Sequence, residues 1–134
     1  MYKMLRFKEL GDDRGNLVVV EGGKDIPFDI KRIFYIYKSN FDIIRGQHAN
    51  RNSEFVFINV AGSSKIRITN GKKNKTIILN KPMEGVYLPK MIWKEMYDFS
   101  KDSVLLVLAS TYYEGSEYIR DFNEYLKIME TYKE

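Results

Sequence analysis

Over its first hundred residues the chain is a succession of short β-branched and aromatic runs, none long enough for a helix of several turns and nearly all closed by turn residues. Leu17–Val20, Ile30–Tyr37, Glu54–Val60, Ser64–Thr69, Thr76–Leu79, Val86–Leu88, Trp93–Met96 and Val104–Ala109 each read as a strand. Asp12-Asp13-Arg14-Gly15 and Asn70-Gly71 mark reversals between them. Many short strands at close spacing confine the chain to an all-β barrel or sandwich. Only the C-terminus breaks the pattern. Ser116 is placed to cap a helix from about Glu117 to Glu130, with Tyr118, Phe122, Tyr125, Leu126 and Met129 at helical spacing on one packing face.

A length of 134 residues fits one domain, with the barrel over about residues 1–112 and the helix over about 117–130. With no cysteine there is no disulfide framework. No apolar run reaches bilayer length, and Met1-Tyr2-Lys3-Met4-Leu5-Arg6 lacks the apolar core of a signal peptide. A cytoplasmic protein without a membrane partner is expected. The net charge of +4 is scattered, and its one cluster, Lys72-Lys73-Asn74-Lys75, follows a hairpin turn and reads as solvated. A nucleic-acid partner is therefore not expected, while an anionic small ligand suits the balance.

The chemistry concentrates in Arg45-Gly46-Gln47-His48-Ala49-Asn50-Arg51-Asn52-Ser53-Glu54, which holds the only histidine. Strand parity puts His48 and Asn50 on one side of the sheet, and an inward Glu54 would add a carboxylate to an imidazole and an amide. An imidazole titrates near neutrality, so it both takes and gives protons. A single histidine and no cysteine leave few ways to hold a transition metal, and neither a metal nor another cofactor is expected. Arg32 and Arg45 are the candidates for an anionic ligand, since guanidinium suits bidentate binding of a diphosphate. Tyr35 and Tyr37 share one face of their strand, opposite Arg32, Phe34 and Ile36. Either face can line a pocket.

The offsets R-G-x-H-x-N-x3-E, with Gly62 further on, resemble the first motif of the cupin barrel, H-x-H-x3-E, with Asn50 in place of the second histidine. At the cupins' second motif, Lys94 in Trp93-Lys94-Glu95-Met96-Tyr97-Asp98-Phe99 takes the place of a histidine ligand. It either points inward, where it can pair with Glu54, or outward into solvent.

A narrower resemblance rests on Asp13-Arg14-Gly15-Asn16-Leu17, on residues 26–36 from Ile26-Pro27-Phe28 to Ile36, on Arg45-Gly46-Gln47-His48-Ala49, on Trp93 to Ser100, on Val107-Leu108-Ala109-Ser110 and on Tyr118-Ile119-Arg120-Asp121. This ordered set resembles the WxcM-like sugar-nucleotide 3,4-ketoisomerases, RmlC-like cupins that act on dTDP-4-keto-6-deoxyglucose. The resemblance implies a cupin jelly-roll barrel with a short C-terminal helix, forming a homodimer that exchanges its N-terminal strand. It implies a metal-free proton shuffle: a base removes the C3 proton, an enediol forms, and C4 is reprotonated. The product then feeds amino-deoxyhexose biosynthesis for surface polysaccharides such as O-antigen. Together with the readings above, the candidates for catalysis are His48, Asn50, Glu54, Lys94 and Tyr35, and those for substrate binding are Arg32, Arg45, Tyr37, Tyr97 and Arg120.

The family pattern R-G-x-H-A-H-K and W-H-E-M departs here at Asn50 and Lys94. Asparagine cannot act as a general base, though it can hydrogen-bond an enediolate oxygen. Either His48 carries both proton transfers, or Lys94, Glu54 or a tyrosine has taken over the missing role, or the chain is a non-catalytic sugar-nucleotide-binding partner.

Overall fold

Two five-stranded antiparallel sheets face each other, in the jelly-roll arrangement expected. The computed structural model describes residues 1–133. In the first sheet the order is β1 (Lys3–Arg6), β9 (Glu84–Leu88), β6 (Phe55–Ala61), β11 (Val104–Ala109), β4 (Arg32–Tyr37). In the second it is β12 (Tyr118–Ile119), β5 (Arg45–Asn50), β10 (Trp93–Tyr97), β7 (Ser64–Thr69), β8 (Asn74–Leu79). A separate hairpin pairs β2 (Glu9–Asp12) with β3 (Gly15–Val18). One helix, α1 (Phe122–Met129), lies against the outside of the second sheet.

The side-chain period of two sorts each strand between faces. Along β7, Ile66 and Ile68 enter the space between the sheets, while Lys65 and Arg67 point out to ion pairs with Asp98 and Glu95. Phe55, Phe57, Val86, Leu88, Leu105 and Val107 meet them from the first sheet. At about 25 cal/mol per Å² of apolar surface, each fully buried side chain of this size contributes about 2–3 kcal/mol. β6 is apolar on both faces because it is covered twice: Val56 and Ile58 pack outward under Phe7, Ile26, Phe28 and Leu108.

β1 finds its partner within the chain, Lys3 to Arg6 lying against Tyr87 to Glu84. The element standing off both sheets is the β2–β3 hairpin, with Leu10, Leu17 and Val19 beside it exposed. The expected helix from Glu117 is split. Residues Gly115–Glu117 make a 3-10 turn, Tyr118 and Ile119 pair with Asn50 and Ala49 at the edge of β5, and α1 starts only after Asp121. Asp121 wins as cap because its carboxylate accepts from Glu124 N at 2.8 Å. The Lys72–Lys75 cluster is an exposed turn held by Asn70 Oδ1, which accepts from Lys72 N and Lys73 N.

Candidate active site

His48 stands at a kink in β5. The strand is in register with β10 at His48↔Lys94 and again at Gly46↔Glu95, so Gln47 is the extra residue of a bulge. Gly46 makes this possible: its φ is +86°, and a Cβ there would sit 2.9 Å from the Lys94 carbonyl oxygen and 3.0 Å from Met96 Sδ. The kink brings the Gly46 carbonyl to 3.0 Å from His48 Nδ1. A carbonyl only accepts, so in the neutral ring Nδ1 carries the hydrogen and Nε2 keeps its lone pair. Burial, reinforced by the neighbouring Lys94 ammonium, pushes the imidazole down to about 4; the Gly46 bond and Glu117 oppose this, and Arg120 adds to it. His48 is therefore a neutral base at physiological pH.

Beside it the Lys94 ammonium lies inside the barrel, only 2% exposed, and donates to Asn50 Oδ1 at 3.0 Å. Its Nζ also sits 4.8 Å from the Phe55 ring centroid. Burial brings it down to about 7 against the pull of the Glu117 carboxylate. The Asn50 amide is fixed from its other end, Nδ2 donating to Glu117 Oε2 at 3.0 Å. Glu117 is itself buried. It accepts from Asn52 N at 2.8 Å, from Ser53 N at 3.0 Å and from the Ser53 hydroxyl. Burial is the strongest single influence on this carboxyl and pushes it up, but its hydrogen bonds together outweigh that and hold it below the usual range.

Arg32 closes one side of the cluster. It projects inward from the start of β4, with Phe34, Phe55 and Tyr113 rings at 5.6, 5.9 and 5.6 Å. Nη1 donates to Tyr118 Oη at 3.3 Å. Among the described residues its buried Nε and Nη2 have no hydrogen-bond partner, an arrangement that an incoming anion satisfies. The Tyr118 ring meets His48 edge-on at 4.8 Å and carries the Arg120 guanidinium at 4.6 Å. An uncharged base, a buried ammonium and two guanidiniums thus converge on one region, suited to abstracting a proton and holding the anion formed.

Of the residues marked in the sequence, His48, Asn50, Lys94, Arg32 and Arg120 come together. Glu54 does not: its Oε1 accepts from Tyr87 Oη at 2.5 Å, and Lys94 points inward to Asn50 instead of to Glu54. Tyr35 and Tyr37 lie on the outer face of β4, 61% and 57% exposed, because it is the Arg32–Phe34–Ile36 face that turns inward. Tyr97 is on the outer face of β10 against Arg67 at 4.9 Å, and Arg45 is exposed. Glu117 and Tyr118 escape the sequence reading because Ser116-Glu117-Tyr118 reads as a helix start, and Tyr113 because it belongs to no motif; the Asp121-x-x-Glu124 capping signal is the clue that the helix begins later. Among the described residues no three His, Asp or Glu side chains gather as metal ligands. The oxygen of Asn50 already serves an ammonium, so this donor set does not fit a divalent cation.

Comparison with known proteins places these residues in context. The FdtA profile, described as WxcM-like, C-terminal, matches residues 1–130. The TDP-4-oxo-6-deoxy-α-D-glucose-3,4-oxoisomerase of Aneurinibacillus thermoaerophilus is 40% identical over 125 residues, 93% of this chain and 90% of that one. The crystal structure of a 3,4-ketoisomerase from Helicobacter canadensis superposes with a TM-score of 0.94 at 46% identity, covering 96% of this chain and 97% of the other. A variant of the 3,4-ketoisomerase QdtA from Thermoanaerobacterium thermosaccharolyticum, solved with TDP-4-keto-6-deoxyglucose, also gives 0.94, at 42% identity over 96% of this chain and 94% of that one.

Proposed function

The chain belongs to the FdtA, WxcM-like C-terminal family, and on that premise we propose that it is an isomerase converting TDP-4-keto-6-deoxyglucose to the 3-keto-6-deoxyhexose. The observation that carries this reading is the neutral His48, locked at Nδ1 by Gly46, beside the buried Lys94 ammonium.

In this mechanism His48 Nε2 removes the proton from sugar C3, and the electron pair forms a C3–C4 double bond as the C4 carbonyl becomes an enediolate oxygen. Lys94 stabilises that negative charge. Poised near neutrality, its ammonium can also give a proton to the oxygen on C4, and the amine so formed takes the hydroxyl proton from C3, which restores the ammonium. The imidazolium returns its proton to C4, leaving the ketone on C3. Asn50 acts by holding Lys94, since its oxygen is already taken. Arg32 and Arg120 face the diphosphate. Tyr35 and Tyr37, with Ile33, present an exposed apolar surface on β4. Together with the β2–β3 hairpin, which pairs with neither large sheet, this supports a homodimer in which an N-terminal strand of one copy reaches the other. No described helix is long and apolar enough to cross a membrane, and a cytoplasmic site of action, alongside the enzymes that make nucleotide sugars, is part of this reading.

The test is incubation with TDP-4-keto-6-deoxyglucose in deuterated buffer, followed by NMR. A 3-keto product supports the isomerase, and deuterium at its C4 measures how far the proton held by His48 exchanges with solvent before it is returned. Binding of the nucleotide sugar with neither a 3-keto product nor exchange refutes it and leaves a binding module.

A further inference from the structure

Building on the isomerase reading, we propose that Glu117 is a positioning residue, which orients the Asn50 amide and through it holds Lys94 beside His48 for proton transfer.

The geometry allows only one orientation of the amide. Glu117 Oε2 can only accept, so the group facing it at 3.0 Å is Asn50 Nδ2. The amide oxygen must then point the other way, where it meets Lys94 Nζ at 3.0 Å. The amide cannot turn over without placing NH2 against an ammonium and oxygen against a carboxylate. Glu117 is held just as firmly, by two backbone N–H groups of the Asn52–Ser53 loop and by the Ser53 hydroxyl, which also lies 2.5 Å from Thr111 Oγ1. The rigid loop at the end of β5 thus fixes the carboxylate, then the amide, then the ammonium.

The charged groups around Lys94 are few. His48 faces it from β5, Glu117 from the 3-10 turn, and Arg120 approaches the His48 side from the residue after β12. Arg32 of β4 lies on the other cation-facing contact of the Phe55 ring. From the outer face of β10, Glu95 is engaged with Arg67. Among the described residues Glu117 is therefore the one anion acting on the ammonium, by its charge through space and by its hold on a single amide.

The experiment is a double-variant cycle with two readouts. Turnover of TDP-4-keto-6-deoxyglucose gives kcat and KM. The titration of Lys94 is followed by NMR of its 13Cε in protein labelled biosynthetically with 13C-lysine, assigned by the loss of its signal in K94M, and needs no activity. E117Q is expected to lower kcat about 10- to 100-fold with KM changed less than about threefold, and to move the Lys94 titration to lower pH. N50L, which severs the link while leaving the Asn52 and Ser53 bonds to Glu117 in place, is expected to match it. N50L/E117Q is expected to be no slower than N50L. Multiplying losses in the double variant, or an unmoved Lys94 titration in folded N50L or E117Q, would overturn the proposal. Should E117Q not fold, N50L carries both readouts alone, and wild-type values in it refute the link. Absence of wild-type turnover defeats the isomerase reading, and the Lys94 titration still decides the relay.

Discussion

Replacing Lys94 by methionine keeps the length of the side chain and removes its charge, so the variant isolates what burying that charge costs. In the unfolded chain the amine has its ordinary value of 10.5; in the folded chain it is at about 7. Between those values the unfolded state binds more protons than the folded one, so wild-type stability rises with pH across the window. The penalty is fully present below about pH 7 and gone above 10.5. That gap corresponds to about 5 kcal/mol, of which about 2 kcal/mol remain at pH 9. Against this, K94M leaves Asn50 Oδ1 without its donor, a pH-independent loss of about 1–3 kcal/mol. The variant is therefore expected to be more stable than wild type by about 2–4 kcal/mol at pH 6, about equal at pH 9, and the weaker protein above that. Urea unfolding of both proteins at one fixed concentration, at pH 6 and pH 9, measures the difference. A difference that is the same at both pH values would refute the reasoning, because it would mean that Lys94 has the same affinity for protons folded and unfolded.

Three further outcomes are expected. H48N should lose isomerase turnover by at least about 100-fold while its thermal unfolding stays close to wild type; persistent turnover would remove His48 from the role of base. The imidazole, at about 4, must be neutral and the ammonium, at about 7, must be charged, so kcat/KM should fall below about pH 4 and again above about pH 7. A pH–rate profile checks this, and a flat alkaline side would show that the Lys94 charge is not used. Gly46→Ala should destabilise by about 1–3 kcal/mol or more, because alanine is strained at φ +86° and its Cβ meets the Lys94 carbonyl; denaturant unfolding measures it, and a neutral result would show that the kink relaxes freely.

Much of the fold was legible because burial here follows a period of two. Ser64–Thr69 and Val104–Ala109 form strands at the residues read from sequence, and β6 and β10 differ only at their ends. β1 and β2 were not legible, since Lys3–Arg6 and Glu9–Asp12 are short, polar and exposed and take their place from their partners. At the C-terminus local signals competed: Ser116 and Asp121 both offer a cap, and the free edge of β5 tips the balance by pairing with Tyr118 and Ile119.

The sequence by itself determined that the chain is an all-β barrel or sandwich, and by its resemblance to a cupin family a jelly roll, whose chemistry centres on His48, because hydrophobic period and motif spacing are properties of the linear order. Which charged groups surround that histidine was decided only in three dimensions. Lys94 faced two ways equally well on paper, Glu54 lay at the right offset yet bonds Tyr87, and Glu117 is 67 residues from the Asn50 that it orients. Such choices depend on which faces two packed sheets bury and on which buried donor finds an acceptor, and neither is encoded in spacing along the chain.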